Sequence, residues 1–359
     1  MICDEKTKKL AELVVDYFLK VKPGENVIVS GSTEAEPFMA TLYKEIILRK
    51  AYPILNVSLP NLTPFYFKNA TKSQLEHFPE TWNYTVRHAQ KYIGIDTESN
   101  SKELSGVDPK KIALRGKTTK SIRDFVCDER DKIWRCTVGY PCMSMAQDAG
   151  MSLDEFEDFV FGACLQDWDK IGKNIKKILA KFKKGKQVHL IGPNVDLKFN
   201  IRGEKVLDDL TGDNLPCGEV FMAPEKYSLE GWIKFEYPAI YNGNEVEGIY
   251  LKFEKGKIVE AKADKNEKFL KAMIAVDKNA SYVGEFGIGC NPKIQKYIKN
   301  ILYDEKIIGT IHLALGSAYK ENGGGNDSAI HWDIIKEMRD SKIVLDGKVI
   351  QERGKWNIR

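Results

Sequence analysis

Nothing in this chain approaches the roughly 18 consecutive apolar residues that a membrane-spanning helix needs, so no helical membrane anchor is expected. The GxxxxGK[ST] phosphate loop is missing, and no GxGxxG opens a helix after a strand, since Gly287-Ile-Gly289 lacks the third glycine. The common phosphate and dinucleotide cradles are therefore excluded. HExxH is absent, which removes an ordinary zincin, and GxSxG is absent, which removes the serine-hydrolase elbow. Seven cysteines (3, 127, 136, 142, 164, 217, 290) form no CxxC pair and are odd in number. The segment 1–9 is too charged for a signal sequence, so the thiols read as reduced and the protein as cytoplasmic.

Charge of one sign is also lacking. Fifty-five basic residues face 51 acidic ones, a formal net charge of +4, and the two signs are interleaved. No nucleic-acid or membrane partner is implied. The most basic stretch, Lys170 to Lys186, carries Ile171, Ile175, Ile178, Leu179 and Phe182 at helical spacing, and reads as an amphipathic helix with lysines on its wet face.

A length of 359 residues favours two domains. In the first half, helix and strand alternate. Leu10, Leu13, Val14, Tyr17 and Phe18 line an opening helix that Pro23-Gly24 ends. Residues 26–30 read as a buried strand, 33–50 as a helix, 53–57 as a second strand, 91–95 and 133–138 as further strands, and 153–184 as one or two helices. That order predicts an α/β domain with a mainly parallel sheet. After Gly185 the pattern turns to short strands and hairpins, with turns at Asn242-Gly243, Lys255-Gly256 and Asp346-Gly347. The predicted organisation is an N-terminal α/β domain over 1–184 and a C-terminal mixed, β-rich, metal-binding domain over 185–359.

The chain has five histidines, and two of them, His312 and His331, fall 19 residues apart among possible metal ligands. With them stand Glu219, Glu285, Tyr319 and Asp333. Each is unremarkable alone: His312 lies in an apolar strand-like run where a histidine is more often a satisfied core residue, and His331-Trp-Asp333 is a short motif. On a strand, that two-residue spacing points both side chains to one face. His312 and Tyr319, seven residues apart, converge only if Gly316 bends the chain. Glu225 is a possible substitute for Glu219, and Cys217 and Cys290 read as small buried residues. Together, two imidazoles, three carboxylates and a phenol exceed what one closed zinc site needs and suit a pair of divalent cations.

Several segments carry a family resemblance: Asn-Leu-Pro-Cys-Gly-Glu-Val-Phe-Met-Ala-Pro (214–224), Gly-Glu-Phe-Gly-Ile-Gly-Cys-Asn (284–291), Ile-His-Leu-Ala-Leu-Gly-Ser-Ala-Tyr (311–319) and His-Trp-Asp (331–333). So do the opening Leu10 to Val29, Val138-Gly-Tyr-Pro141 and Met145-Ala-Gln147. The chain resembles the M29 metallo-aminopeptidases, the aminopeptidase T and S group. Cys217 stands where that pattern has threonine or alanine.

The resemblance implies Glu219, Glu285, His312, Tyr319, His331 and Asp333 as metal ligands, with Glu285 and Tyr319 catalytic. It implies two divalent metal ions (Zn, Co or Mn) and a homodimer with an enclosed cavity. The implied activity is release of N-terminal residues from short peptides with a free N-terminus, by way of a metal-bound hydroxide. Two alternatives stand beside it. His312, His331 and Asp333 alone could form the 2-His-1-carboxylate face of a mononuclear iron dioxygenase of the related ring-cleaving branch; a non-catalytic protein on the same fold is the other.

Overall fold

In the computed structural model, which describes residues 4–357, the apolar run around Val27-Ile-Val29 forms the strand Asn26–Ser32 and is buried on both sides. It pairs in parallel with Tyr52–Ser58 and with Lys91–Asp96. Lys91–Asp96 pairs in parallel with Trp134–Gly139, which pairs in parallel with the short Asn214–Leu215. The result is a five-stranded, all-parallel sheet, the outcome the helix–strand alternation predicts. The opening helix Glu5–Glu12 is capped by Asp4, whose carboxylate accepts the Thr7 N–H, and continues as a π-helical turn, Leu13–Phe18. Sequence reading misses the helix Pro109–Asp128, because only Ile122 and Phe125 of it are buried and its apolar stripe is too thin to register.

By packing, the chain forms two compact units, Met1–Leu165 with Thr211–Pro216, and Gln166–Leu210 with Cys217–Arg359. The helix Trp168–Phe182, which a cut at 185 assigns to the first domain, buries Ile175, Ile178 and Phe182 in the core of the second unit. Its apolar stripe is satisfied there, with Phe182 and Phe286 ring centroids 6.3 Å apart.

The second unit contains two larger antiparallel sheets. One has eight strands, including Gln187–Gly192, Val195–Asn200, Glu230–Lys234, Tyr250–Glu254 and Lys257–Lys262. The other has five, in the order His331–Glu337, Thr310–Gly316, Val283–Gly289, Glu219–Met222 and Leu207–Asp208. Their apolar residues share one core, in which Phe199 of the first sheet meets Phe286 of the second edge to face at 5.0 Å. The three predicted turns hold positive φ at both central residues: Asn242 and Gly243, Lys255 and Gly256, Asp346 and Gly347. That geometry matches the twist of a tight hairpin. Among the described residues no helix is long and apolar enough to cross a membrane. No disulfide joins the six described cysteines; Cys3 lies outside the described residues.

Candidate metal centre

The five-stranded antiparallel sheet sorts its side chains with a period of two. Val220, Met222, Phe286, Ile288, Ile311, Leu313, Trp332 and Ile334 point into the shared core. The alternate positions hold Glu219, Phe221, Glu285, His312, His331 and Asp333. Register brings these together, since Phe221 lies opposite Gly287, Gly287 opposite His312, Glu285 opposite Ala314 and Ala314 opposite Asp333. A β-bulge between Val283 and Glu285 adjusts that strand's alternation.

His312 is fully buried. Its Nε2 lies 3.4 Å from Glu285 Oε1 and 3.5 Å from Glu219 Oε2. His331 Nε2 lies 3.4 Å from Asp333 Oδ2. The Nδ1 of His331 donates to the Ser317 carbonyl at 2.8 Å, which fixes the ring and leaves Nε2 facing the site. The chain bends at Gly316, with φ +95°, as the His312–Tyr319 spacing requires. After the bend the Tyr319 ring sits 5.1 Å from His331 and 6.5 Å from Phe221, centroid to centroid, and is 42% exposed.

Three donor groups arise in which one atom per residue lies within 4.8 Å of the others: Glu219–Glu285–His312, Glu285–His331–Asp333 and Glu305–His312–Asp333. Glu285 belongs to the first two. Glu225 is exposed and sits 3.8 Å from Arg202, away from these groups, and neither Cys217 nor Cys290 joins one.

Four buried atoms of the set lack a hydrogen-bond partner: Glu219 Oε2, Glu285 Oε2, His312 Nδ1 and Asp333 Oδ1. Leaving a buried polar atom unsatisfied costs about 1–3 kcal/mol, and here the cost is concentrated on carboxylates and an imidazole. Burial pushes the Glu219 carboxyl well above the usual range, opposed by Lys306. Burial pulls His312 down, but Glu285 and Glu219 outweigh it and hold the ring at about 9. Crowded, desolvated carboxylates beside two imidazoles, whose protons a bound cation would displace, form a donor set suited to divalent cations such as Zn²⁺, Co²⁺ or Mn²⁺.

Sequence reading missed three residues. Asp209 accepts the backbone N–H of Gly218 (2.8 Å to Oδ1, 2.9 Å to Oδ2) and of Glu219 (3.0 Å), so it shapes the turn that presents Glu219. Lys306 is fully buried, with Nζ 3.5 Å from Glu219 Oε1 and 4.0 Å from Asp209 Oδ2. Glu305 pairs with Lys306. The available signal was Asp304-Glu-Lys306, three charges set directly before an apolar run.

The family described as thermophilic metalloprotease (M29) matches residues 3–356. Aminopeptidase AmpS of Bacillus subtilis (strain 168) is 26% identical, covering 98% of this chain and 98% of its own. Aminopeptidase T of Thermus thermophilus is 26% identical, covering 97% and 98%. The solved structure of wild-type AmpT from Thermus thermophilus shares the fold at a TM-score of 0.83 and 23% identity, over 98% of this chain and 99% of that one. A 2,5-dihydroxypyridine dioxygenase from Pseudomonas putida KT2440 shares the fold at 0.61 and 15% identity, over 98% and 96%. The likeness to the dioxygenase is one of fold alone, whereas the family match runs through every segment that carries the donor groups: this chain belongs to the M29 family of metalloproteases.

Proposed function

We propose that this protein is a dinuclear metal-dependent aminopeptidase that removes N-terminal residues from short peptides. The observation that carries the reading is the double membership of Glu285, which joins Glu219 and His312 on one side and His331 and Asp333 on the other. One carboxylate shared by two donor groups suits a pair of neighbouring cations, and His312 and Asp333 are each shared with a third group that includes Glu305. When bound, two divalent cations would polarise the scissile carbonyl, lower the pKa of water toward neutrality and offer a position for a free α-amine.

The chain's own groups supply the rest. His331, pinned by Ser317, and Asp333 form one arm of the site; His312 with Glu219 forms the other. Glu285 belongs to both groups and would be shared between the cations or accept the proton of the attacking water. Tyr319, whose ring lies beside His331, would donate its hydroxyl to the tetrahedral oxyanion. A mononuclear iron oxygenase using His312, His331 and Asp333 would leave the buried oxygens of Glu219 and Glu285 without partners. The family resemblance further supports a cytoplasmic homodimer and short peptides as substrates.

The test is incubation of free and N-acetylated pentapeptides with cation-loaded protein, with products read by mass spectrometry. Stepwise loss of single residues from the free peptide alone supports the reading. Internal cleavage, or equal cutting of the blocked peptide, overturns it.

A further inference from the structure

The strand Asn26–Ser32 changes character halfway along. Val27, Ile28 and Val29 are apolar and fully buried, and Ser30, Gly31 and Ser32 follow. A parallel strand covered on both faces normally stays apolar along its length. The even-numbered positions of Asn26–Ser32, Tyr52–Ser58 and Lys91–Asp96 share a face with the helices Glu80–Arg87 and Pro109–Asp128. There Ile28, Ile54 and Tyr92 pack with Val86, Ile122 and Phe125. Two residues further along that face, register sets Ser30 beside Gly94 and Gly94 beside Thr137, and at the strand ends Ser32 beside Ser58. The helices cover the first row, and a cavity of about 340 Å³ opens over the rows beyond it.

The cavity sits where the strand order turns. Across the sheet the order is Tyr52–Ser58, Asn26–Ser32, Lys91–Asp96, Trp134–Gly139 and Asn214–Leu215. The chain therefore leaves Asn26–Ser32 toward one edge and resumes on its other side. The helix Glu36–Leu48, after the first of these strands in sequence, lies on the opposite face, with Met39 Sδ 3.5 Å from where a Gly31 Cβ would stand. Pro109–Asp128, after Lys91–Asp96, lies on the Ile28 face. The two connections part and leave a crevice at the carboxyl ends of neighbouring strands, the position where open α/β sheets take ligands. The Ser32 and Thr97 hydroxyls meet across it at 2.8 Å.

The lining is chemically narrow. Ser30, Ser32, Ser58, Tyr92, Thr97 and Thr137 bring hydroxyls, and Asp96 brings a carboxylate. Among the described residues that line it there is no lysine, arginine or histidine. An anion such as phosphate would meet a carboxylate and no cation to pair with. Neighbours hold the hydroxyls in place: Ser30 Oγ accepts from Asn56 Nδ2 at 2.9 Å, and Thr137 Oγ1 accepts from Arg135 at 3.4 Å. Hydroxyls both give and accept hydrogen bonds, whereas an ionised carboxylate only accepts. The complement is a ligand with hydroxyls of its own, two of them adjacent so that they can donate to the two oxygens of Asp96. The volume suits a monosaccharide or a nucleoside.

We propose that this crevice is a further binding site of the protein, for a neutral polyhydroxyl ligand that presents a vicinal diol, either a free sugar or the ribose of a nucleoside. It lies within the first compact unit and does not depend on the reading of the metal centre.

The test is saturation-transfer NMR and calorimetry on the full chain with D-ribose, adenosine and 2′-deoxyadenosine. Ribose and adenosine should bind. The deoxy compound, which lacks one hydroxyl of the diol, should bind at least about 10-fold more weakly than adenosine, the scale of one hydrogen bond to a charged group. Tighter binding of adenosine than of ribose would assign the diol to a nucleoside, and the reverse to a free sugar. Asp96→Asn should weaken ribose and adenosine by a similar factor. Gly94→Val, which sets a side chain on the cavity floor, should abolish binding and leave metal content and peptide hydrolysis at wild-type levels. If circular dichroism shows that variant unfolded, Gly94→Ala takes its place and should weaken binding. Its Cβ would meet the Tyr92 ring at 3.5 Å and Thr137 Oγ1 at 3.8 Å, ordinary contacts that the fold accepts. Three results overturn the inference: no binding of ribose or adenosine at millimolar concentration, 2′-deoxyadenosine binding as tightly as adenosine, or affinities unchanged in folded Asp96→Asn and Gly94 variants.

Discussion

The imidazole of His312 occupies the space that a side chain at residue 287 would need. A Cβ on Gly287 would fall 2.0 Å from His312 Nε2 and 2.1 Å from Cε1, on the strand directly opposite. No rotation of a methyl group relieves such contacts, so Gly287→Ala must push the ring away from Glu219 and Glu285. The expected outcome is a folded protein whose divalent-cation affinity falls by at least about 10-fold, in line with losing ligand orientation. Calorimetry with Zn²⁺ on the stripped variant checks it; unchanged affinity would place His312 outside the site.

Much of the site could be read from the sequence because it lies on strands, where a two-residue period decides facing. His331 and Asp333 share a face for that reason, and the bend at Gly316 was required by the odd His312–Tyr319 spacing. The parallel sheet followed from helix–strand alternation, and the hairpins from Asn-Gly, Lys-Gly and Asp-Gly pairs. Glu305, Lys306 and Asp209 could not be read, since charged residues in turns have no period and their burial depends on chain segments about 90 residues apart. Pairing with Glu219 is what makes a fully buried Lys306 tolerable, and the charge run Asp304-Glu-Lys306 does not reveal that distant partner. The helix Trp168–Phe182 showed its apolar stripe plainly but not which core would receive it.

Replacing a proposed ligand should act through affinity. His331→Ala and Asp333→Asn are each expected to lower bound metal and hydrolytic rate together, because each removes one arm of the Glu285–His331–Asp333 group. Elemental analysis alongside amino-acid anilide hydrolysis measures both. Full metal content with full rate in either variant would remove that residue from the site.

Glu285→Gln keeps shape and removes charge. If the carboxylate takes the proton of the attacking water, kcat should fall by about 10²–10⁴-fold while KM changes little. If its role is only to be shared between cations, metal stoichiometry should fall first. Measuring kcat, KM and metal content on the same preparation separates the two roles, and wild-type values for all three would contradict both.

A pH effect is expected away from the metal centre. Burial, followed by repulsion from Asp96, Asp148 and Glu103, pushes the Glu98 carboxyl up from an ordinary value of 4.5 to about 7. A raised carboxyl favours the folded state fully below its unfolded value and loses that contribution as pH rises through the folded value. Wild type should therefore lose stability between about pH 4.5 and 7 through this group. Glu98→Gln, which cannot ionise, should gain on wild type across that window and hold the advantage at pH 8. Thermal melts of both proteins at pH 5 and pH 8 decide the matter; an equal difference in Tm at the two values would refute the assignment.

The proposed chemistry needs two cations at the two donor groups joined by Glu285. Its most direct test is a titration of Zn²⁺, Co²⁺ or Mn²⁺ into chelator-stripped protein, with release of the N-terminal residue from an unblocked peptide followed at each addition. Stripped protein should release nothing, and the rate should rise to a break at two equivalents per chain. Full activity in protein shown by elemental analysis to hold no metal, or saturation at a single equivalent, would contradict it.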